Sequence, residues 1–374
     1  MTAHHPIAIV GGGLGGLTLA RVLHTRGVQA AVFELEAGRL TRTQGGMLDI
    51  HAESGQTALR AARLYEPFRA IVHPGGEAMR LVAPDGTVRL EEADEGDGDR
   101  PEVDRGELRD LLLDSLPDGT VRWGARVTGA RGLGGGRHEV AFADGSVITT
   151  DLLVGADGAW SRIRPLVSAD VPAYTGVSFV ECDLLDADAR HPGCADLVGG
   201  GFFIAVDGHR GVLAHRETDG SLHVYAALRA DEDWLDGIDF TDAAAKAALA
   251  ELYTGWDPRL RALISDADGA PVPRRINALP VRHRWERVPG VTLLGDAAHL
   301  MSPFAGEGAN LAMLDGAELG TAVADHAGDI ETALAVYEGR LFPRGESAAV
   351  LSAAQLDLMF GPDALDRVVA QFTA

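Results

Sequence analysis

Three groups of residues have types and spacings that can do chemistry. Gly11, Gly13 and Gly16 form a Gly-x-Gly-x-x-Gly turn after the apolar run Ile7-Ala8-Ile9-Val10 and before Leu14 and Leu17-Thr18-Leu19-Ala20. Gly11 permits a tight turn, Gly13 lets backbone approach a phosphate, and Gly16 lets a helix pack on a strand. The free N–H groups and positive dipole end of that helix then attract an anion. Glu34 closes a second apolar run, Ala30-Ala31-Val32-Phe33, about 20 residues on, where an acid catches a ribose hydroxyl. The second group is Asp157-Gly158 with Ser161 and Arg164, after the buried-strand run Asp151-Leu152-Leu153-Val154. The third is Gly295-Asp296, with Pro303, Gly306, Gly308 and Asn310 downstream. Asp296, at a strand end, can accept hydrogen bonds from ligand hydroxyls, and Asp157 and Arg164 shape a second nucleotide contact rather than do chemistry.

These residues need elements to hold them. Ser54 to Tyr65 carries apolar residues at helical spacing, and Arg105 to Leu116 puts Leu108, Leu111, Leu112 and Leu116 on one face. Met79 to Leu90 reads as a hairpin around Pro84-Asp85-Gly86, followed by an acidic solvated loop over 91–99. Val121 to Thr149 reads as a three-strand meander. Its Gly132-to-Gly136 turn imitates a second dinucleotide motif, but Arg137 replaces the third glycine and a strand follows. From Val177 to Val272 short alternating strands and one helix, Asp242 to Tyr253, indicate an antiparallel sheet. Gly308 to His326 and Ile330 to Phe342 read as helices, with Pro343 breaking the chain before a last helix from Glu346 to Phe360.

The chain has 374 residues, enough for two domains. Its charge is 33 − 55 = −22, which argues against nucleic acid and anionic membrane surfaces as partners and suits a small-molecule substrate. No apolar run approaches a membrane span, and no signal peptide is visible. The expectation is a cytoplasmic monomer. Cys182 and Cys194 form no Cys-x-x-Cys and no metal spacing, so no metal is expected. His299 reads as a packing residue beside its turn.

Taken together, the three groups resemble the single-component FAD-dependent aromatic hydroxylases of the para-hydroxybenzoate hydroxylase type. More closely, Arg42-Thr43-Gln44-Gly45-Gly46-Met47-Leu48-Asp49-Ile50-His51, Pro101 to Arg109 and Gly295 to Gly308 resemble the tetracycline-inactivating flavin monooxygenases. The resemblance implies an α/β fold: a Rossmann-like FAD-binding domain (1–69, 102–171, 275–342), an inserted antiparallel-sheet substrate domain (70–101, 172–274) and a C-terminal bridging helix (343–374). It implies that Asp49, Arg105 and Asp296 contact FAD and that Arg42 receives NADPH (or NADH). The N–H groups of Gly306, Glu307 and Gly308 would then face the flavin pyrimidine edge. Without a second nucleotide motif the reduced nicotinamide visits transiently. The reaction implied is hydroxylation of an electron-rich aromatic or polycyclic molecule by O2 through a flavin hydroperoxide, with no catalytic side chain assigned. Glu181, Phe202, His223, Pro303, Gly306, Gln355 and Met359 are the substrate-side expectations. Glu181 and Phe202 depart from the Gln and Arg that the resemblance places there, which leaves open a tetracycline-like antibiotic or a natural-product intermediate. The same scaffold also admits a reductase, a Baeyer–Villiger oxygenase or a non-catalytic flavin-sequestering protein. No Trp-x-Trp occurs, which argues against a halogenase.

Overall fold

A computed structural model describes residues 2–41, 46–96, 98–241 and 244–373. In chain order the elements are β1 (Ala3–Val10), α1 (Leu14–Thr25), β2 (Ala31–Phe33), β3 (Met47–Asp49), α2 (Gly55–Ala61), α3 (Tyr65–Arg69), β4 (Met79–Val82), β5 (Val88–Glu92), β6 (Glu102–Asp104), α4 (Arg105–Asp114), β7 (Val121–Arg122), β8 (Val127–Gly134), β9 (Arg137–Phe142) and β10 (Val147–Gly155). They continue with β11 (Ala173–Leu184), α5 (Ala187–Arg190), α6 (Pro192–Val198), β12 (Phe202–Val206), β13 (Arg210–Arg216), β14 (Leu222–Arg229), α7 (Ala245–Glu251), α8 (Pro258–Ser265), β15 (Asp268–Ala278), β16 (Val291–Leu293), α9 (Asp296–His299), α10 (Glu307–Asp325), α11 (Ile330–Met359) and α12 (Ala364–Phe372).

One sheet runs β7-β2-β1-β10-β9-β8. The strands β7, β2, β1 and β10 are parallel, as βαβ crossovers require. Long β10 pairs β9 through residues 147–150 and β16 through residues 153–155, so the end of β16 reaches the same rim as the glycine turn. A second sheet, β15-β11-β14-β13-β12-β4-β5, is antiparallel except where β12 meets β4. A short β3–β6 ladder lies apart from both.

Several expectations need correction. The helix from Ser54 stops at Ala61, because Arg63 takes φ 58° and the Leu64 amide donates to Leu59 O. That wrap buries Leu64 beside Leu59, the usual apolar contact of such a cap. Val121-Arg122 does not open the meander but pairs with β2 at the opposite sheet edge. The last helices are also different. Helix α11 runs unbroken through Pro343 for 30 residues, and α12 follows it. Pro343 forfeits one amide bond, to the Gly339 carbonyl, but packing on both sides offsets this. Ala333, Leu334, Tyr337 and Leu341 sit in the core of the parallel sheet, whereas Leu356, Met359 and Phe360 sit on a face of the antiparallel sheet. The helix expected from Asp242 to Tyr253 is α7, from Ala245; residues 242 and 243 lie outside the described residues.

Among the described residues no helix is long and apolar enough to cross a membrane. Burial pushes the Cys182 thiol up to about 12 and Cys194 up to about 11, so neither supplies a thiolate at neutral pH.

Candidate functional site

At the glycine turn, Gly11 has φ +109° and a Cβ there would overlap the Ala156 carbonyl oxygen; a Cβ on Gly16 would overlap Gly11 O. Gly13 is different: it is exposed, and a Cβ there would meet no atom within 4 Å. The protein leaves that side open, at the N-terminus of α1 where an anion is favoured. Leu14 is buried behind it. Glu34 is buried, accepting from Gly12 N–H at 2.5 Å and from Glu36 N–H at 3.0 Å.

A residue the sequence reading passed over reaches the same turn. Arg109, 4 % exposed, donates from Nε to Gly12 O at 3.4 Å and pairs with Glu36 at 3.0 Å. Its only sequence signal is an arginine among the buried Leu108 and Leu112 of α4. Arg105 opens α4 and is half-buried, its amide N–H donating to Gly46 O at 3.1 Å.

The two aspartates of the other groups divide sharply. Asp157 accepts from Ser161 Oγ at 2.5 Å and Arg162 N–H at 2.6 Å, and burial raises its pKa. It holds a turn. Arg164, also buried, donates to the Ala297, Ala159 and Asp296 carbonyls and so joins that turn to the Gly295 loop. The Asp296 carboxylate, exposed, makes no hydrogen bond or ion pair among the described residues.

Below Asp296 lies a buried ionic network. Asp315, fully buried, accepts from Gly295 N–H at 2.9 Å and His299 Nε2 at 2.6 Å. Arg344 donates to Asp315 at 2.8 Å and to Glu318 at 2.8 Å. Burial opposes charge on both His299 and Asp315, yet their contact raises the first and lowers the second. His299 therefore fixes the loop instead of merely packing beside it.

The loop of Pro303 and Gly306 leads into α10, whose second residue is Gly308. Gly306 has φ +67°, and a Cβ there would lie 3.3 Å from both Asp49 carboxylate oxygens. Gly308 faces no protein atom within 4 Å. Buried Asn310 donates to Asp49 O at 2.8 Å and Gly306 O at 3.2 Å, and accepts from His51 N–H at 2.9 Å. One side chain thus sets the spacing between β3 and the start of α10. His51 is buried with Nε2 at 2.7 Å from Asp49. Burial opposes its charge, but Asp49 and Glu307 outweigh this and hold its pKa up at about 9.

Across from this loop, the antiparallel sheet presents aligned rows. Asp183, His223, His215 and Phe202 are successive partners across β11, β14, β13 and β12; Glu181, Tyr225, Leu213 and Ile204 form the next row. Phe202 stacks on His215 at 4.3 Å, and burial lowers the His215 pKa to about 4. His223 is 2.6 Å from Asp183, which overcomes burial and raises its pKa. The Glu181 carboxylate is not free, as expected for a ligand-pairing acid, but bonds Arg274 at 3.1 Å. Rings of Tyr225, Phe179, Phe304 and Phe360 form a chain with spacings of 5.4, 5.6 and 5.4 Å, joining the sheet face to the Pro303 turn and the end of α11. Met359 is buried in this layer and Gln355 half-buried beside it. Arg42 lies outside the described residues.

This arrangement is a Rossmann-type nucleotide cradle with a second, mostly antiparallel sheet. A family model described as "FAD binding domain" matches residues 4–339, and the chain belongs to that family. Monooxygenase asqM of Emericella nidulans is 30% identical, over 97% of this chain and 97% of that protein. The structure of Klebsiella pneumoniae HpxO complexed with FAD and uric acid superposes with TM-score 0.80 at 24% identity, over 99% of this chain and 92% of that one. That of tetracycline destructase Tet(51) superposes with TM-score 0.72 at 19% identity, over 100% and 96%. The chain is a flavoprotein monooxygenase with the FAD monooxygenase fold. Its residues fit the cofactor: an open side at Gly13, an unengaged carboxylate at Asp296 and bare backbone at Gly308.

Proposed function

We propose that the enzyme hydroxylates an electron-rich aromatic or polycyclic small molecule held between the Pro303–Gly306 turn and the rows of Glu181, His223 and Phe202. The observation that carries this reading is the aromatic and histidine lining of one sheet face, joined by Phe304 to the loop that precedes α10. FAD, when bound, supplies oxidation of NADPH and activation of O2 for transfer of one oxygen atom. Gly11, Gly13, Leu14, Gly16 and Glu34 hold its ADP half, Asp296 its ribityl hydroxyls, and Asp49, Gly306, Gly308 and Asn310 border its ring. Arg105 and Arg109 approach from α4, Asp157 acts through the turn it holds, and Arg42 receives NADPH. Segments 1–69, 102–171 and 275–342 form the cofactor domain, and 70–101 and 172–274 the substrate domain.

The chain's own task is to exclude water and orient the ligand. The packed rings Phe179, Phe304 and Phe360 form a dry wall. His223, fixed by Asp183, offers Nε2 to a ligand oxygen, and the Glu181–Arg274 pair presents both an acceptor and a cation. Such lining suits a phenol, enol or lactam, in keeping with the uric acid held by HpxO and with the tetracycline class after which the destructases are named.

The deciding experiment is a ligand-library screen of NADPH consumption with catalase present, followed by mass spectrometry. The expected product gains one oxygen atom. A purified protein without flavin absorbance, or hydrogen peroxide as the sole product with every ligand, overturns the reading.

A further inference from the structure

We propose that His51, Glu53 and Glu307 form a binding site for one divalent transition-metal ion, separate from the residues that cradle FAD's ADP half. One imidazole nitrogen and one carboxylate oxygen from each acid lie within 4.8 Å of one another. Ligands at about 2.0–2.2 Å from a zinc-type ion stand somewhat closer than that, so a small inward turn of the two acids closes the set.

His51 carries the argument. It is 1 % exposed, and its Nδ1 is buried without a hydrogen bond, 3.5 Å from Glu307 Oε1. Its other nitrogen, Nε2, lies 2.7 Å from Asp49 Oδ2. With Asp49 accepting the Nε2 proton, Nδ1 faces Glu307, and an ion binding there displaces the proton that Asp49 and Glu307 hold on the imidazole. This is the carboxylate–histidine arrangement that orients an imidazole toward a metal. A buried polar nitrogen with only a long approach to a carboxylate is under-satisfied, and a metal ion gives it a full partner.

There is also a way in. Glu53, Ser54 and Glu307 line a groove of about 300 Å³ walled by Leu311, Leu314 and Leu351. Ser54 Oγ there is buried and unpartnered as well. The N-terminus of α10 disfavours a cation, but two carboxylates at the ion and Asp49 behind the imidazole outweigh half a unit of charge. Arg344, also on the groove, is neutralised by Asp315 and Glu318. One nitrogen with two oxygens suits zinc, manganese or iron(II) better than calcium or magnesium. A bound ion would tie the segment before α2 to the first residue of α10, next to Gly306.

The test uses the FAD-loaded enzyme and zinc alone, followed by calorimetric titration and by equilibrium dialysis with elemental analysis. Wild type is expected to bind one ion per chain. Glu53→Gln and Glu307→Gln should each weaken binding at least about tenfold. Glu53 is exposed, so its variant should keep wild-type flavin absorbance and melting temperature, which separates lost ligation from misfolding. Zinc should raise the melting temperature of wild type and not of Glu53→Gln. No bound zinc, or zinc whose affinity is the same in wild type and both variants, overturns the proposal. Neither readout depends on the substrate, so the proposal stands or falls apart from the hydroxylation reading.

Discussion

The two ends of the site are built by different means. At the nucleotide end, position-specific backbone does the work: Gly11 and Gly16 exist to avoid protein atoms, and Gly13 and Gly308 to leave room for something else. At the sheet end, side chains from β11, β12, β13 and β14 meet in rows, and none of them is informative without its cross-strand neighbour. The first end is set by cofactor geometry and tolerates almost no change. The second is a surface of exchangeable side chains on a fixed ladder, and on the function proposed above a new ligand could be accommodated there without disturbing the first.

That contrast can be broken by substitution. The largest effect is expected for Gly11→Ala, which combines positive φ with overlap of the Ala156 carbonyl; a loss beyond about 4 kcal/mol should leave little folded protein. Asp315→Asn should cost about 3 kcal/mol, read as a fall in the denaturation midpoint, because it leaves buried His299 and Arg344 without their shared anion. Gly13→Ala and Asp296→Ala should fold with near-native midpoints yet bind FAD roughly 10–100-fold more weakly, the first because its methyl takes up space left open for the ligand and the second because it removes a hydrogen-bonding carboxylate. Normal FAD affinity in either would erase the distinction between glycines that serve the fold and groups that serve the ligand.

Glu102 provides a pH test. Its carboxyl is buried with Oε2 unpartnered, and desolvation lifts its pKa from 4.5 to about 9. The folded state holds a proton that the unfolded state releases, so stability falls as pH rises from about 4.5 to 9. Glu102→Gln should flatten that slope; an unchanged slope would assign it to other groups. The smallest effect is expected at the sheet. His223→Gln should raise KM for the identified substrate severalfold while FAD absorbance and the melting curve stay as in wild type.

What was legible in the sequence follows the same division. The glycine turn, Glu34, Asp296 and Gly306 stand out in the sequence because each marks a local turn or strand end, and Asn310 because it follows closely on Gly306 and Gly308. The role of Asn310 as a clasp between Asp49 and His51 does not, since it depends on a contact distant in the chain. The same holds for Arg109 against Gly12, for Arg164 joining two loops and for Arg274 neutralising Glu181. Pro343 misled because a proline's local cost is visible in sequence, whereas the packing that repays it comes from two separate cores.

Helix α11, about 45 Å long at 1.5 Å per residue, also dictates when the molecule can mature. Its first turns complete the core of the parallel sheet, and its last turn and α12 seal the antiparallel one. On the ribosome, therefore, neither core is finished until α11 emerges, however early β1 and its glycine turn were made. Until α11 and α12 have emerged the nascent chain carries two unsealed apolar faces at once, so its exposure to aggregation and to chaperones lasts through the synthesis of both domains.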